Sequence, residues 1–484
     1  MTRKILLFTL AALCYGQPAA APDPIKIGSV TVTGSIRSRV EAWDWFKADS
    51  GDNSYAFNGN IFRVSFTQAH ETWDWQLELA APVLLGLPSN SVAVGTQGQL
   101  GLGASYYVSN SRSTNSAMLF PKQGFIRFKS LFGDSKQSLK VGRFEFNDGT
   151  ELIPRNATLA AIKRDRISMR LIGTFGWAHV GRSFDGIHYS NNSVSGNFTF
   201  VGAIPTRGVF QTDGWGETAT GLGYAAYTKP WGKGKHAADT RFFAMYYQDW
   251  RAVLKTDNRP LAVRRADTAN LHIYSFGGHS IHAIDTKAGT VDVLLWGNGQ
   301  AGKWGVQDHR AYAVAFEGGF QPQIAPKLKP WFRVGFFDGS GDDNPNDKTH
   351  GTFFQVLPTP RPYARFPFFD LVNSRDINAS MILRPHKQVT ISSEFHALRL
   401  SNEKDLWYLG GGAYQPWTFG YQGRAAGGPR SLANLYDTSV EYRVRPNVTL
   451  TGYYGYASGR AVTRTIYPKG KNGGLGYAEI NYRF

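Results

Sequence analysis

Beyond residue 21 no apolar run reaches the roughly 18 to 20 residues that a membrane-spanning helix requires, yet apolar and polar side chains alternate over stretch after stretch. Alternation with period two marks strands whose two faces meet different surroundings. At the end of the chain Ala478, Ile480, Tyr482 and Phe484 share one face, and Tyr477, Glu479, Asn481 and Arg483 the other. Near the start Val30, Val32, Ile36 and Val40 alternate with Thr31, Thr33, Ser35, Arg37, Arg39 and Glu41. Trp73, Trp75, Leu77 and Leu79 oppose Asp74, Gln76 and Glu78, and Tyr436, Val440, Tyr442 and Val444 oppose Asp437, Ser439, Glu441 and Arg443. A helical span is excluded, and a β architecture with one face toward an apolar medium is what remains.

Eighteen such segments can be placed, starting near residues 30, 60, 72, 123, 138, 182, 194, 219, 239, 270, 290, 310, 327, 375, 388, 434, 447 and 475, with 16 as the alternative count because those at 138, 239 and 290 are ambiguous. The gaps alternate in length. Residues 43–59, 81–122, 147–181, 204–218, 250–269, 298–309, 338–374, 401–433 and 458–474 are long, whereas 69–71, 191–193, 385–387 and Pro446 are short. Long outer loops and tight periplasmic turns between antiparallel strands are the topology of an outer-membrane barrel, with an even strand number and both ends of the wall in the periplasm. Tryptophans and tyrosines at strand ends, within an aromatic fraction of 14%, point the same way. Residues 22–484 show no linker and are expected to form one transmembrane antiparallel β-barrel in the bacterial outer membrane. At 16 to 18 strands such a barrel is wide enough for an aqueous channel.

The first 21 residues read as a secretion signal, with Arg3 and Lys4, an apolar stretch from Ile5 to Leu13, and small residues at Ala19, Ala20 and Ala21. Cys14, the chain's one cysteine, follows Leu13 rather than a small residue, which argues against a lipoprotein signal. Disulfides and thiol chemistry are therefore not expected in the barrel. The sequence carries 53 basic against 36 acidic residues, and loss of Arg3 and Lys4 leaves 51 against 36, or +15. A positive field of this size suits an anionic partner. A charged fraction of only 18% argues against a nucleic-acid-binding tail.

Charged residues on the alternating strands belong inside, because a charge on the lipid face costs about 2 to 4 kcal/mol at the midplane. That places Arg37, Arg39, Arg63, Arg127, Lys129, Lys329, Arg333 and Arg443 along the lumen with Glu41, Asp74, Glu78, Asp376, Glu394, Asp437, Glu441 and Glu479. Two roles are open for each: an ion pair bracing the wall, or a charge on the solute path. The sequence holds little that resembles a catalytic constellation. His279 and His282 are spaced unsuitably for one strand face and read as loop or turn histidines. Asp342, Asn344 and Asn346 imitate the start of a calcium loop, but Asp347 and Phe353 stand where glycine and the bidentate glutamate belong. No nucleophile elbow or phosphate loop is present. The expectation is a channel with no catalytic residues, cofactor or resident metal; an outer-membrane enzyme or adhesin is the alternative class.

Val141-Gly142-Arg143-Phe144-Glu145-Phe146 and Gly181-Arg182-Ser183-Phe184-Asp185-Gly186 resemble the paired signature of the alginate export porin family. The stretch from Ser340-Gly341-Asp342 through His350-Gly351-Thr352-Phe353 to Thr359 is similar to that family's long loop, and Gly476 to Phe484 to its closing strand. The resemblance implies an 18-stranded barrel with an arginine-rich constriction that passes an anionic uronic-acid polymer, and it marks Arg143, Arg182 and Asp185 as constriction candidates. The resulting substrate path is Arg37, Arg39, Arg63, Arg127, Lys129, Arg143, Arg182, Asp185, Arg333, Glu441 and Arg443. A general diffusion porin for small anions is the alternative within transport. Expected partners are the anionic polysaccharide or small anions, outer-membrane lipid and lipopolysaccharide, and, through Phe484, the barrel assembly machinery; no nucleic acid is expected. Within 338–374, mixed charge and Pro345, Pro358, Pro360 and Pro362 predict a loop that folds inward and gates the pore.

Overall fold

The computed structural model describes residues 24–359 and 364–484. The expected signal with Cys14, and Pro360, Arg361 and Pro362 of the long loop, lie outside the described residues.

Eighteen antiparallel strands form a closed wall. In chain order they are β1 (Val30–Asp44), β2 (Ser54–Ala69), β3 (Trp73–Leu85), β4 (Phe120–Lys129), β5 (Gln137–Phe144) and β6 (Phe184–Ser193). There follow β7 (Gly196–Pro205), β8 (Thr220–Trp231), β9 (His236–Asp249), β10 (Leu271–Thr286), β11 (Gly289–Trp304) and β12 (Gln307–Pro322). The last six are β13 (Trp331–Gly339), β14 (Ser374–His386), β15 (Val389–Arg399), β16 (Ser431–Arg445), β17 (Val448–Gly459) and β18 (Gly473–Arg483). Each sequence-predicted start falls within six residues of an observed one. Unpaired backbone groups in hydrocarbon cost several kcal/mol each, so closure is obligatory. β18 returns to β1 with Ser35 opposite Arg483 and Asp44 opposite Gly474, which leaves no edge.

Among the described residues no helix is long and apolar enough to cross a membrane; the strands do so. Phe242, Phe276, Val334 and Tyr454 are exposed on the outer surface, while Arg37, Arg39 and Glu41 of β1 are buried within. The short turns, such as 194–195, 387–388 and 446–447, gather at one end, and the long connections 86–119, 145–183, 340–373 and 400–430 at the other. Much of that long-loop material turns into the barrel. Phe353, Phe354, Val356 and Leu357 pack with Leu171 and Ile172, and Trp43, Trp45, Phe46, Phe366, Phe368, Trp407 and Tyr467 build a second apolar cluster.

Three sequence expectations are corrected. Residues 298–309 are not a long loop: β11 and β12 run on to a two-residue turn at Gly305 and Val306, with Trp304 opposite Gln307. Asn298 and Gln300 had obscured the alternation, but they are inward-facing wall residues. Lys329 lies in the turn before β13 with φ of 44°, not on the lumen wall. His279 and His282 sit on β10 rather than in a loop: His279 pairs inward with Asp239 at 2.9 Å, and His282 contacts His236 on the outer face at 3.1 Å.

Phe484 completes the outward row of β18, and its backbone exchanges hydrogen bonds of 2.8 and 3.0 Å with Gly34. A Cβ on Gly34 would stand 2.3 Å from the Phe484 ring, so only glycine admits it. Deleting Phe484, or Gly34→Val, is expected to reduce the heat-modifiable folded band severalfold on unboiled gels; full recovery of that band would remove the seam from the account.

Candidate channel constriction

The connection 145–183 crosses the lumen, and charge holds it there. Asn156 caps the short helix Ala157–Ile162 by accepting from the Leu159 amide at 3.1 Å. From that helix onward the segment reaches the wall: Lys163 lies 3.0 Å from Asp239 of β9. Glu317 of β12 collects Arg166 at 2.6 Å, Arg170 at 3.2 Å and Arg333 of β13 at 3.0 Å. Removing one partner from so buried a cluster leaves uncompensated charge, which costs about 3–5 kcal/mol. Inside the loop, Asp148 accepts from the amides of Leu171 and Ile172 at 3.1 and 2.9 Å, and burial pushes its carboxyl up to about 6.

On the opposite wall β1 holds residues 176–179. Arg37 donates to the carbonyls of Gly176, at 2.6 Å, and Ala178. Arg39 donates to the Trp177 carbonyl at 3.0 Å and to Glu479 at 2.8 Å, with its guanidinium 4.5 Å from the Trp177 ring and 4.7 Å from the Tyr477 ring. Glu41 meets Arg39 at 3.2 Å and His179 at 2.9 Å. Burial holds His179 down at about 4, so it is neutral near pH 7 and Nε2–H donates to Glu41. A Cβ on Gly59 of β2 would stand 2.3 Å from the His179 ring, so the bare backbone leaves the imidazole its place.

The second inward segment docks on the first: Leu357 donates to the Leu171 carbonyl at 2.7 Å, and Gly173 to the Leu357 carbonyl at 2.8 Å. The inward fold expected for 338–374 is thus present in its described part. Asp342 is engaged in turn formation, accepting from Asn344 at 2.8 Å and Gly351 at 3.0 Å. Two of the cavities among the described residues border these segments. The upper one, on the long-loop side, is lined by Trp45, Phe175, Phe210, Ala364, Phe369 and Tyr414 with Gln99, Asp370 and Gln422. The lower one, toward the short-turn end, is lined by Arg37, Arg39, Arg365 and Arg483 with Glu441 and Glu479, between Trp177, Thr449, Thr451, Tyr477 and Asn481. Phe175 and Ala364 border the first, Trp177 and Arg365 the second, so residues 175–177 and 364–365 stand where the two approach.

Of the sequence-predicted path, Arg37, Arg39 and Glu441 line this lower cavity. Arg443 is two residues further along the same face of β16, within electrostatic range of Glu441. Arg63 pairs with Glu78 and, at 2.9 Å, with Glu145. Arg127 binds Asp74 at 3.0 Å, with Lys129 3.9 Å from the same acid. These, like Arg333 with Asp292 and Glu317, are inward residues bracing wall and loop. Arg182 is fully buried under the loops and donates to the Gly411 carbonyl at 2.6 Å; burial lowers it to about 10. Arg143 and Asp185 are corrected outright. They face each other across β5 and β6 at 2.6 Å on the outer face, in line with Val141 and Ile187, both exposed, whereas Phe144 and Phe184 turn inward. Mutual neutralisation and the covering Trp215 ring, 5.0 Å from the guanidinium, make an outward charge tolerable there.

Arg365, Arg483, Trp177 and Tyr477 also line the lower cavity but lie outside the sequence-predicted substrate path. Arg483 lay on the polar face of an already recognised strand and was legible in principle. Arg365 and Trp177 come from loops without periodicity, and only the fold brings them to β1 and β18.

A family model described as alginate export matches residues 104–466. Solved structures of similar fold include OccAB2 of Acinetobacter baumannii, with TM-score 0.57, 10% identity and coverage of 95% of this chain and 99% of that one. OccK9 (OpdG) of Pseudomonas aeruginosa gives TM-score 0.59, 8% identity and coverage of 94% and 98%. OccK2 (OpdF) of Pseudomonas aeruginosa in complex with glucuronate gives 0.55, 7%, and 94% and 96%. At such identities the likeness is one of fold. No curated protein matches the chain.

Arg39→Ala strips Glu41 and Glu479 of their shared cation and frees the Trp177 carbonyl. The expected result is a loss of about 3–5 kcal/mol in unfolding free energy, together with a larger and noisier open-channel current in planar bilayers. Wild-type stability and wild-type current would show that residues 176–179 are held by something else.

Proposed function

The chain belongs to the alginate export family and is a β-barrel porin of the bacterial outer membrane, and from that premise we propose that it passes an anionic uronic-acid polysaccharide such as alginate by passive diffusion. The carrying observation is the lower cavity, where four arginines face two glutamates beside the segments that narrow the lumen. A polyuronate offers one carboxylate per sugar. Guanidinium groups give each carboxylate planar, charge-assisted hydrogen bonds, and several sites in succession let it advance by exchange. Glu441 and Glu479 keep the field from becoming a trap, since conduction requires entry to be favourable and exit unhindered. The upper cavity adds aromatic faces against which the apolar side of a sugar ring packs.

A second reading is favoured by one observation. The similarly folded OccK2 is complexed with glucuronate, a single uronic acid, and the same arginines would serve uptake of small anionic sugars. The two readings share a charge-selective path and differ in the length of the solute.

Arg365→Glu combined with Arg483→Glu should shift the reversal potential in a salt gradient toward cation selectivity and abolish current block by added oligouronate. Single changes should each be modest, because salt screens charges beyond roughly 8 to 10 Å. Arg143→Glu, on the outer face, should leave selectivity unchanged. A double variant that keeps both its anion preference and its block would place the selective site elsewhere; block by glucuronate but not by oligouronate would favour the small-solute reading.

A further inference from the structure

The outer face at the long-loop end of β14 and β15 carries an arrangement the channel does not use. Arg375 and Arg399 lie directly opposite each other in the ladder between these strands. Like charges in that position destabilise a sheet, with Cβ atoms only about 4.5–5.5 Å apart. Both side chains point outward: on β14, Ser374 and Asp376 are buried inward and Ile377, two residues on from Arg375, is 57% exposed. Arg375 is steadied by Asp338 of β13 at 2.9 Å, which also accepts from Tyr312 at 3.0 Å and Ser401 at 2.7 Å, yet its side chain stays 42% exposed. Arg399 is exposed and has no carboxylate partner among the described residues. Elsewhere on this rim Lys303 pairs with Asp308 and Arg430 with Glu403.

We propose that Arg375 and Arg399 form a binding site for a phosphate of lipopolysaccharide in the outer leaflet. Position argues for the source. Two residues along a strand advance about 6.8 Å, so the pair stands one such step above Ile377 and the apolar belt, at the level of lipid headgroups. Charge argues for the ligand. One phosphate, with two negative charges at most and several acceptor oxygens, converts a repulsive cross-strand pair into two charge-assisted contacts and suits guanidinium geometry. The site rests on the outer-membrane placement of the barrel and is independent of what the lumen conducts.

The test uses the full-length protein extracted from outer membranes, delipidated by detergent exchange and mixed with purified bisphosphorylated lipid A, with occupancy read by native mass spectrometry. Wild type should retain lipid A, and Arg399→Glu should cut occupancy at least tenfold with single-channel conductance unchanged. Lys229→Glu, the same charge change on the outer face near the short-turn end of β8, should retain it. Arg399→Gln removes the charge without adding one, and should give an intermediate loss even where the glutamate variant folds poorly. Enzymatically dephosphorylated lipid A should bind wild type no better than it binds the Arg399 variants. Equal occupancy of wild type and Arg399→Gln, or equal binding of phosphorylated and dephosphorylated lipid A by wild type, overturns the site.

Discussion

A backbone amide in hydrocarbon has no water to turn to, and that constraint organises the whole molecule. It forces eighteen strands to close on one another through the β1–β18 ladder. Closure divides every strand into an outer face that must be apolar and an inner face that is free to carry charge. Once the charges are inside they need partners, and these come from the wall and from the two long connections that fold inward. Glu317 gathers guanidinium groups from the crossing loop and from β13, and Arg39 gathers Glu41, Glu479, Trp177 and Tyr477. The lumen is thereby narrowed by the same ion pairs that make it stable.

The alternating pattern made most of the wall legible, because a side-chain period of two survives in the sequence wherever the two faces meet different media. It misled where that premise lapses. At 298–309 polar Asn298 and Gln300 face inward while the outward positions between and after them hold only Gly299 and Ala301, so the apolar row that would reveal the strand is missing. At Arg143 and Asp185 the outward charges sit at the rim, where they neutralise each other and escape the cost that would bar them at the midplane. Alternation assigns a phase only when neighbouring apolar residues fix it, and here Val141 and Ile187 outside, with Phe144 and Phe184 inside, fix it against the lumen.

The functional interior was less legible for a different reason. Arg37, Arg39 and Glu441 announce themselves by lying on strands of known phase, whereas Trp177 and Arg365 lie in aperiodic segments and acquire their positions only through docking on β1 and on each other. The division of labour among arginines follows from this. Arg63, Arg127 and Arg333 are bound to wall acids and hold the structure; Arg39 does the same through Glu41 and Glu479 and also lines the lower cavity, where four guanidinium groups meet two glutamates.

The central claim is that solute passes through the lower cavity and meets its positive field there. The chain's one cysteine is Cys14, so a cysteine introduced at Thr451, on the cavity wall, is a specific reporter. In a planar bilayer, an anionic thiol reagent should block the current of the Thr451→Cys channel, and should do so faster than a cationic reagent of the same size. A current indifferent to both reagents, or faster modification by the cation, would contradict the account.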